Sequence, residues 1–308
     1  MAATGLALRG RMDAVGDAGG LPGAAPAAAA VALNIVANGV LVQAWRAVLA
    51  AAGVPLAARA AAWVWSVSQL ARYAMGAAQV GGRAVAGRPY GVTATAGAVT
   101  TLVEIAWQAA ITATLVLATA PWWLAEAEGL GWLAWLGVAP AVLLGVGLVR
   151  PDVLLRLVAG VLAWGPLARL TGDRLGGAVD RVHVDRGVAA RLTLLYTLNS
   201  ALRLAAFLCL FAAVGGGLRD DGLRAVGAYA LGQLVGRLAV IVPGGIGPRE
   251  SATLLAIAPA VGGGPGLVLV AAVRLAEIVG EAVFAAGARV ARPARPPGMP
   301  GVRTTGGP

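Results

Sequence analysis

The chain has 308 residues, of which 59% are hydrophobic and 12% are charged, and its formal net charge is +10. This composition is too apolar and too weakly charged for an ordinary water-soluble domain. The basic residues are all arginine and are dispersed over many loops. That distribution excludes a nucleic-acid partner and favours contact with anionic lipid headgroups. We therefore expect an integral, polytopic membrane protein.

Apolar runs separated by glycine, proline and charge predict about eight membrane segments, because several approach the roughly 20 residues that cross a bilayer. They lie near residues 25–50, 60–80, 93–119, 131–149, 189–214, 225–242, 250–262 and 265–286. Three of them are short or interrupted and are candidates for half-helices that enter and return on one side, namely 60–80, 225–242 and 250–262. The predicted fold class is an all-α membrane bundle.

The chain is expected to divide into a disordered tail (1–23), a membrane domain (24–287) and a disordered cytoplasmic tail (288–308). Within the membrane domain, the arginine-rich loop 150–190 is placed in the cytoplasm by the positive-inside rule, and its apolar part reads as an interfacial helix or a short span. We expect both tails in the cytoplasm and the chain in a bacterial plasma membrane.

Cysteine and histidine usage limits the chemistry. The chain has one cysteine, Cys209, and one histidine, His183. A disulfide framework, a thiolate metal site and a multi-histidine metal site are therefore excluded. We expect no cofactor, no metal and no enzymatic activity.

The most unusual segment spans residues 243–250, where a Pro-Gly-Gly-x-Gly sequence interrupts an apolar run. Hydrocarbon offers no hydrogen-bond partner to an exposed backbone, so such a break must be buried in protein or border a wet cavity. The glycines that permit the break are Gly244, Gly245 and Gly247. Arg249 and Glu250 follow directly, and charges at membrane depth are costly unless they have a function.

A short helix starting near Pro248 would present free N–H groups and the positive end of its dipole, a combination that suits a phosphate. The alternative is a turn at the membrane interface whose arginine meets bulk lipid phosphate. The sequence leaves both open.

A weak internal repeat accompanies the break. A Gln-Leu pair at Gln69 precedes a Gly-Gly pair at 81–82, and another at Gln233 precedes a Gly-Gly pair at 244–245. Paired interrupted segments in corresponding halves point to a transport site at the interface of two pseudo-repeats. Whether these repeats are parallel or inverted is not decided by the sequence.

Polar residues at helical spacing supply further candidates. Tyr196, Asn199 and Arg203 share one helix face, which should border a cavity or form an interhelical hydrogen-bond network. A second face carries an acid-base set that we interpret as a local ion pair. Its members are Arg274, Glu277 and Glu281.

Glu104 lies inside an apolar run. It is expected to be the counter-ion of Arg72 or Arg83, or else a proton-coupling carboxylate. Arginines that flank the interrupted segments can extend to headgroups along their aliphatic stems, and that interpretation suits Arg83 better than Arg72. Arg237 flanks the late break in the same way.

Four stretches, 69–76, 80–91, 103–105 and 242–250, resemble motifs of the lysylphosphatidylglycerol synthase membrane region, a family of flippase-like integral membrane proteins. That family corresponds to the lipid-translocating part of the bacterial multiple peptide resistance factor. The chain differs at residues 74–76, where Ala-Met-Gly stands in place of the family's usual Pro-Gly. The resemblance implies lipid movement between leaflets, and without an aminoacyl-transferring domain no lipid synthesis is expected.

Together, these features predict a protein that moves a phospholipid or a polyprenyl-phosphate-linked lipid between leaflets. The expected partners are an anionic or glycosylated lipid and a separate lipid-biosynthetic enzyme, and the oligomeric state is left open. The alternatives are a membrane glycosyltransferase or lipid-modifying enzyme using Asp220 and Asp221, or a scaffold of an envelope-lipid pathway. The predicted substrate-binding residues are Arg249, Glu250, Gly244, Gly245, Gly247, Arg237, Arg203, Asn199, Tyr196, Glu104 and Arg72.

Overall fold

The computed structural model describes residues 21–74, 78–124, 150, 184–239 and 245–293. These residues form eight α-helices and one 3₁₀ helix, and they contain no β-strand. The helices are α1 (Ala24–Ala51), α2 (Ala58–Ala71), α3 (Ala78–Gly87), α4 (Ala94–Leu124), α5 (Arg186–Ala213), α6 (Gly222–Leu238), α7 (Pro248–Val261) and α8 (Gly263–Val290), with the 3₁₀ helix at Arg88–Tyr90. The all-α prediction is confirmed for this part of the chain.

Three of the described helices, rather than the eight segments expected, are long and apolar enough to cross a membrane. They are α1, the Ala94–Pro121 part of α4, and α5. Helices α2, α3, α6 and α7 have only 10 to 17 residues, fewer than the roughly 20 that a span needs. Helix α8 has 28 residues but carries four charged residues, which are Arg274, Glu277, Glu281 and Arg289.

The expected segment 131–149 lies outside the described residues, as do most of the loop 150–190 and nearly all of both tails. Those predictions therefore stay predictions.

The chain reverses direction between α2 and α3. A Cβ atom built on Gly82 would lie only 3.1 Å from the Ser68 Cα, whereas fourteen residues of continuous helix would separate the two by about 21 Å. The α6–α7 pair reverses in the same way, since a Cβ atom on Gly236 would meet the Arg249 Cβ at 3.0 Å. Both interrupted segments are therefore helical hairpins, as expected for helices that enter and return.

Local sequence accounts for the start of α7. Gly245 and Gly247 have φ angles of 67° and 100°, a left-handed conformation that is open to glycine but strained for other residues. Pro248 then occupies the first helical turn, where its missing N–H costs no hydrogen bond. The expected helix start near Pro248 is confirmed.

Two apolar clusters hold the bundle together. The first joins α1, α2, α4 and α5 around Trp45, Trp65 and Trp107. The second joins α1 with α5, α6, α7 and α8 around Phe207 and Phe211. Dispersion and loss of apolar surface from the solvent favour both clusters.

The distribution of polarity is the reverse of that in a water-soluble bundle. Large apolar side chains face outward, with Leu194 68% and Leu255 78% exposed, while charged groups such as Arg83 and Glu104 are buried inside. Charged residues are almost never fully buried in soluble proteins unless they are paired. Together with the three long apolar helices, this pattern is compatible with a membrane protein.

Candidate functional site

A cavity of about 140 Å³ lies between the tips of the two hairpins. The α2–α3 hairpin contributes Gln69, Arg72 and Gln79 to its wall, and the α6–α7 hairpin contributes Gln233, Arg237, Gly245 and Arg249. The long helices add Glu104, Gln108, Arg203, Arg274 and Glu277. The structure therefore brings together charged residues from six helices that are far apart in the sequence.

Arg83 is fully buried and forms a two-bond ion pair with Glu104. Its Nη1 lies 3.0 Å from Oε2, and its Nη2 lies 2.9 Å from Oε1. The Arg83 Nε donates to the Ser68 hydroxyl, and the guanidinium stacks 4.8 Å from the Trp45 ring centroid. The prediction that Arg83 extends to headgroups is wrong, because the side chain is fully buried and each of its three nitrogens donates to a partner inside the bundle. Glu104 is its counter-ion, as one of the alternatives predicted.

Arg249 is neutralised by Glu277 through another two-bond pair, in which Arg249 Nη1 donates to Glu277 Oε2 over 2.7 Å. Arg274 also lies near Glu277, at 3.7 Å, and near Glu250, at 3.6 Å. The expected local pairing of Arg274 with Glu277 is thus present. The shorter contact of Glu277, however, is to Arg249, which lies on α7 rather than on α8.

Arg72 pairs with Glu281 across the bundle, at 2.5 Å from Nη2 to Oε1. The Tyr73 hydroxyl donates to the other oxygen of the same carboxylate over 3.0 Å. This contact ties the end of α2 to α8. It also removes Arg72 as a partner for Glu104.

Arg203 is held by neutral groups only. Its Nε donates to Asn199 Oδ1 over 3.2 Å, and its two terminal nitrogens donate to Asn34 Oδ1 over 3.0 Å and to Asn38 Oδ1 over 2.7 Å. Because a guanidinium can only donate, these bonds fix the amide groups with their oxygens towards Arg203. The Nδ2 atoms of Asn38 and Asn199 are buried and find no acceptor among the described residues.

Arg237 is held in a similar way. Its Nη1 donates to the Thr112 hydroxyl over 2.8 Å and its Nη2 to Gln108 Oε1 over 3.1 Å. The Nε2 of Gln108 donates in turn to Glu104 over 3.4 Å, so the orientation of this side chain is fixed from both ends. Arg237 is therefore bound inside the bundle by α4.

The charges around the cavity do not balance. Within the described part of the chain, Arg72, Arg83, Arg249 and Arg274 each lie within 4.0 Å of a glutamate. Arg203 and Arg237 have no carboxylate within that distance among the same residues. The cavity wall thus contains two cations whose charge is met only by neutral acceptors, which makes it suited to an anion.

The first turn of α7 carries its own carboxylate beside the N–H groups that the sequence suggested for a phosphate. The Glu250 carboxylate turns back and accepts from the Gly247 N–H over 2.7 Å, so that N–H is already occupied. The phosphate site at this helix start stays a prediction. Gly245 lines the cavity, where a Cβ atom would meet the Gly236 backbone at 3.0 Å. Gly247 has open space beside it, and Gly244 lies outside the described residues.

The remaining predicted site residues lie farther from the cavity. Tyr196 is fully buried within the first apolar cluster and does not line the cavity. Asn199 does not line the cavity either, but its side-chain oxygen accepts a hydrogen bond from Arg203, which does. The sequence-based list omitted Gln108, Thr112 and the asparagines Asn34 and Asn38. The asparagines had a detectable signal, since two amides four residues apart share one face of an apolar helix.

In the described residues, no group of three or more histidine, cysteine, aspartate or glutamate side chains is placed to hold a metal ion. Asp220 and Asp221 lie in the turn before α6, and the Asp221 side chain makes no capping hydrogen bond. The chain matches no protein-family model, no curated protein and no solved structure. Its function must therefore be argued from the site itself.

Proposed function

We propose that this protein moves a phospholipid or a polyprenyl-phosphate-linked lipid between membrane leaflets, with the lipid headgroup passing through the cavity between the two hairpins. The observation that carries the proposal is the charge of the cavity wall, where Arg203 and Arg237 have no carboxylate partner among the described residues. Uncompensated charge in a low-dielectric interior is unfavourable, so residues that keep it usually have a ligand or ion to bind.

The depth of the cavity supports transport over simple surface binding. Arg203 is followed by ten further residues of α5, and Glu104 is preceded by ten residues of α4. Each group therefore lies about 15 Å from the nearer end of its helix, at 1.5 Å per residue. In a hydrocarbon layer roughly 30 Å thick, that depth corresponds to the region near the midplane.

The order of helices supports the pseudo-repeat that the sequence suggested. A long helix, a hairpin and a second long helix occur in that order from α1 to α4 and again from α5 to α8. Under this proposal, the two hairpins are re-entrant and meet at the cavity from corresponding halves, an arrangement known from transporters with broken helices. No described segment resembles an ATP-binding loop, so movement would be passive or coupled to an ion.

Lipid movement is tested with the full chain in proteoliposomes that carry fluorescent phosphatidylglycerol or phosphatidylcholine. Dithionite quenches only the outer leaflet at first, so transport appears as faster loss of the protected signal. We expect faster loss for the anionic lipid, and a smaller effect in Arg237→Gln. The matched control is Arg289→Gln, an exposed arginine near the end of α8. If no anionic or glycosylated lipid moves faster than in empty vesicles, the proposal is wrong.

Two further measurements, one on the same preparation and one in cells, separate the alternative functions. A metal-dependent product that is lost in Asp221→Ala but retained in Arg237→Gln would indicate an enzyme. Normal lipid levels in cells that carry Arg203→Gln together with Arg237→Gln would indicate a scaffold.

A further inference from the structure

Two arginines make what we call crossing contacts. Each lies at the end of the first helix of its hairpin and binds the long helix that follows the other hairpin. Arg72, after the end of α2, reaches Glu281 on α8. Arg237, at the end of α6, reaches Gln108 on α4. The two arginines follow Gln69 and Gln233 by three and four residues, and both glutamines line the cavity. The crossing contacts are therefore made by corresponding parts of the two hairpins.

Their acceptors also occupy corresponding positions. Glu281 lies four residues after Glu277, the glutamate that pairs with Arg249 of the α6–α7 hairpin. Gln108 lies four residues after Glu104, the glutamate that pairs with Arg83 of the α2–α3 hairpin. Each long helix thus presents two acceptors one turn apart. Glu104 and Glu277, which we call the inner acceptors, each receive an arginine from the hairpin that precedes them in the chain. Gln108 and Glu281, the outer acceptors, each receive an arginine from the other hairpin.

The two networks differ at the outer acceptor. Glu281 is a carboxylate and cancels the charge of Arg72, whereas Gln108 is a carboxamide and leaves the charge of Arg237 uncancelled. The two side chains have nearly the same shape, but the Gln108 carboxamide carries no negative charge, and its Nε2 donates to Glu104 over 3.4 Å, as a carboxylate cannot. The positive charge of Arg237 in the cavity wall is therefore left uncancelled.

We propose that Gln108 determines the charge specificity of the cavity, because it leaves the charge of Arg237 uncancelled and so lets that charge bind a phosphate group together with Arg203. This inference rests on the proposed function and assigns the ligand class of the same site. Guanidinium groups bind phosphate through paired, charge-assisted hydrogen bonds, and the wall supplies two of them.

The surroundings of Arg203 point to the same ligand class. The buried Nδ2 atoms of Asn38 and Asn199 are donors without an acceptor in the described residues. Arg203 itself lines the cavity, so a bound anion would supply the negative charge that its amide partners do not. This observation is independent of Gln108, which contacts only Arg237 and Glu104 among these groups.

The lining of the cavity indicates which part of the ligand enters. Its wall is formed largely by charged and amide side chains, among them Gln69, Arg203 and Gln233. A phosphate group suits such a wall, whereas an acyl or polyprenyl chain would leave these polar groups without partners. The apolar part of a lipid would therefore stay outside the cavity.

The test uses the full chain and changes the charge of the two outer acceptors in opposite directions. Gln108→Glu gives Arg237 the carboxylate that Arg72 already has, and Glu281→Gln removes the carboxylate from Arg72. Binding of soluble dihexanoyl-phosphatidylglycerol and of inorganic phosphate is measured by calorimetry in a zwitterionic detergent. Since a hydrogen bond to a charged group contributes about 1.5–3 kcal/mol, we expect Gln108→Glu to weaken binding about tenfold or more. Glu281→Gln should strengthen it, and Arg289→Gln should leave it unchanged.

A folded Gln108→Glu variant that binds both probes as tightly as the wild type overturns the inference. If that variant does not fold, Glu281→Gln decides alone, and unchanged or weaker phosphate binding then overturns it. Binding of the lipid probe with the expected charge dependence supports a lipid headgroup as the ligand. Binding of inorganic phosphate alone, with the same dependence, supports the anion site and a soluble source. That last result, with no lipid movement in vesicles, would leave this inference standing and reject the proposed function.

Discussion

The side chains of Arg83 and Glu104 face each other in the interior of the bundle, joined by two hydrogen bonds of 3.0 and 2.9 Å, and neither is more than 1% exposed. They come from adjacent helices, α3 and α4, so the pair fastens the returning arm of the first hairpin to the helix that follows it. Of the 10 residues of α3, only Arg83 and Gly87 are buried, whereas α2 buries Trp65 in the first apolar cluster. The position of the α3 arm therefore depends on this pair.

Removing only one of the two charges of this pair should strongly destabilise the folded protein. Glu104→Gln leaves the Arg83 charge buried without a counter-ion, and such losses typically cost about 3–5 kcal/mol. We expect a matching drop in the unfolding free energy, measured by denaturant titration in detergent micelles. The double variant Arg83→Met with Glu104→Leu removes both charges, and it should be more stable than Glu104→Gln. Equal stability of the two variants would show that the unpaired charge is not the cause.

The close packing of the first hairpin predicts a contrast between two adjacent glycines. A Cβ atom at Gly82 would lie 3.1 Å from the Ser68 backbone, whereas one at Gly81 would meet nothing within 4 Å. We expect Gly82→Val to destabilise the protein by about 1–3 kcal/mol through overpacking. Gly81→Ala should stabilise α3 by roughly 0.5–1 kcal/mol, because alanine loses less backbone entropy. Thermal unfolding measures both, and a similar melting temperature for the two variants would contradict the hairpin packing.

If the proposed function is right, transport depends most on Arg203 and Arg237, the two cavity arginines that have no carboxylate partner among the described residues. Arg203→Gln and Arg237→Gln keep hydrogen-bonding capacity but remove charge from the cavity wall. We expect each to reduce the rate of anionic-lipid movement about tenfold or more, as for the loss of one charge-assisted hydrogen bond. The rate is measured by dithionite quenching at matched protein density. Arg59→Gln, in an exposed part of α2, serves as the control, and equal rates in all three variants would remove the basis for the cavity as the pathway.

The cap on α7 gives a prediction about local stability. Glu250→Gln weakens the acceptor of the Gly247 N–H and removes the charge near Arg274, at 3.6 Å. Losing such a cap costs typically about 1 kcal/mol. We expect faster amide hydrogen exchange in the peptide that covers the first turn of α7, measured by mass spectrometry, with exchange in α5 unaffected. Unchanged exchange at that turn would mean that Glu250 does not cap the helix in solution.

Much of the architecture could be predicted because it follows from local sequence. The apolar runs predict the long helices α1, α4 and α5, and the short or interrupted runs indicate where the chain turns back. The Gly-Gly pair at 81–82, however, lies inside α3 rather than at the turn. The helix start at Pro248 follows from proline and glycine chemistry alone. Among the described residues there are fewer candidate spans than the runs predict, because the length of a hydrophobic run does not show whether the chain turns back within it.

The partners of the charged residues could not be predicted in the same way. Arg72 and Glu281 are separated by 209 residues, and Arg203 lies 165 residues from Asn38. Helical spacing pairs Arg274 with Glu277 on one face, and it gives no information about Arg249, which makes the shorter contact from another helix. A glutamine within an apolar run is uncharged and does not stand out in the sequence. The role proposed for Gln108 therefore follows only from comparing its position on α4 with that of Glu281 on α8.

The crossing contacts of Arg72 and Arg237 have a mechanical consequence. Each joins the end of one hairpin's first helix to the long helix that follows the other hairpin, so moving the hairpins away from these helices must break both contacts. One fastening is an ion pair and the other is a pair of hydrogen bonds to neutral groups, which are the easier to break. Opening should therefore be lopsided, with the α6–α7 tip releasing first while the α2–α3 tip acts as the hinge. An anion arriving at Arg237 would compete for the very bonds that latch the weaker side.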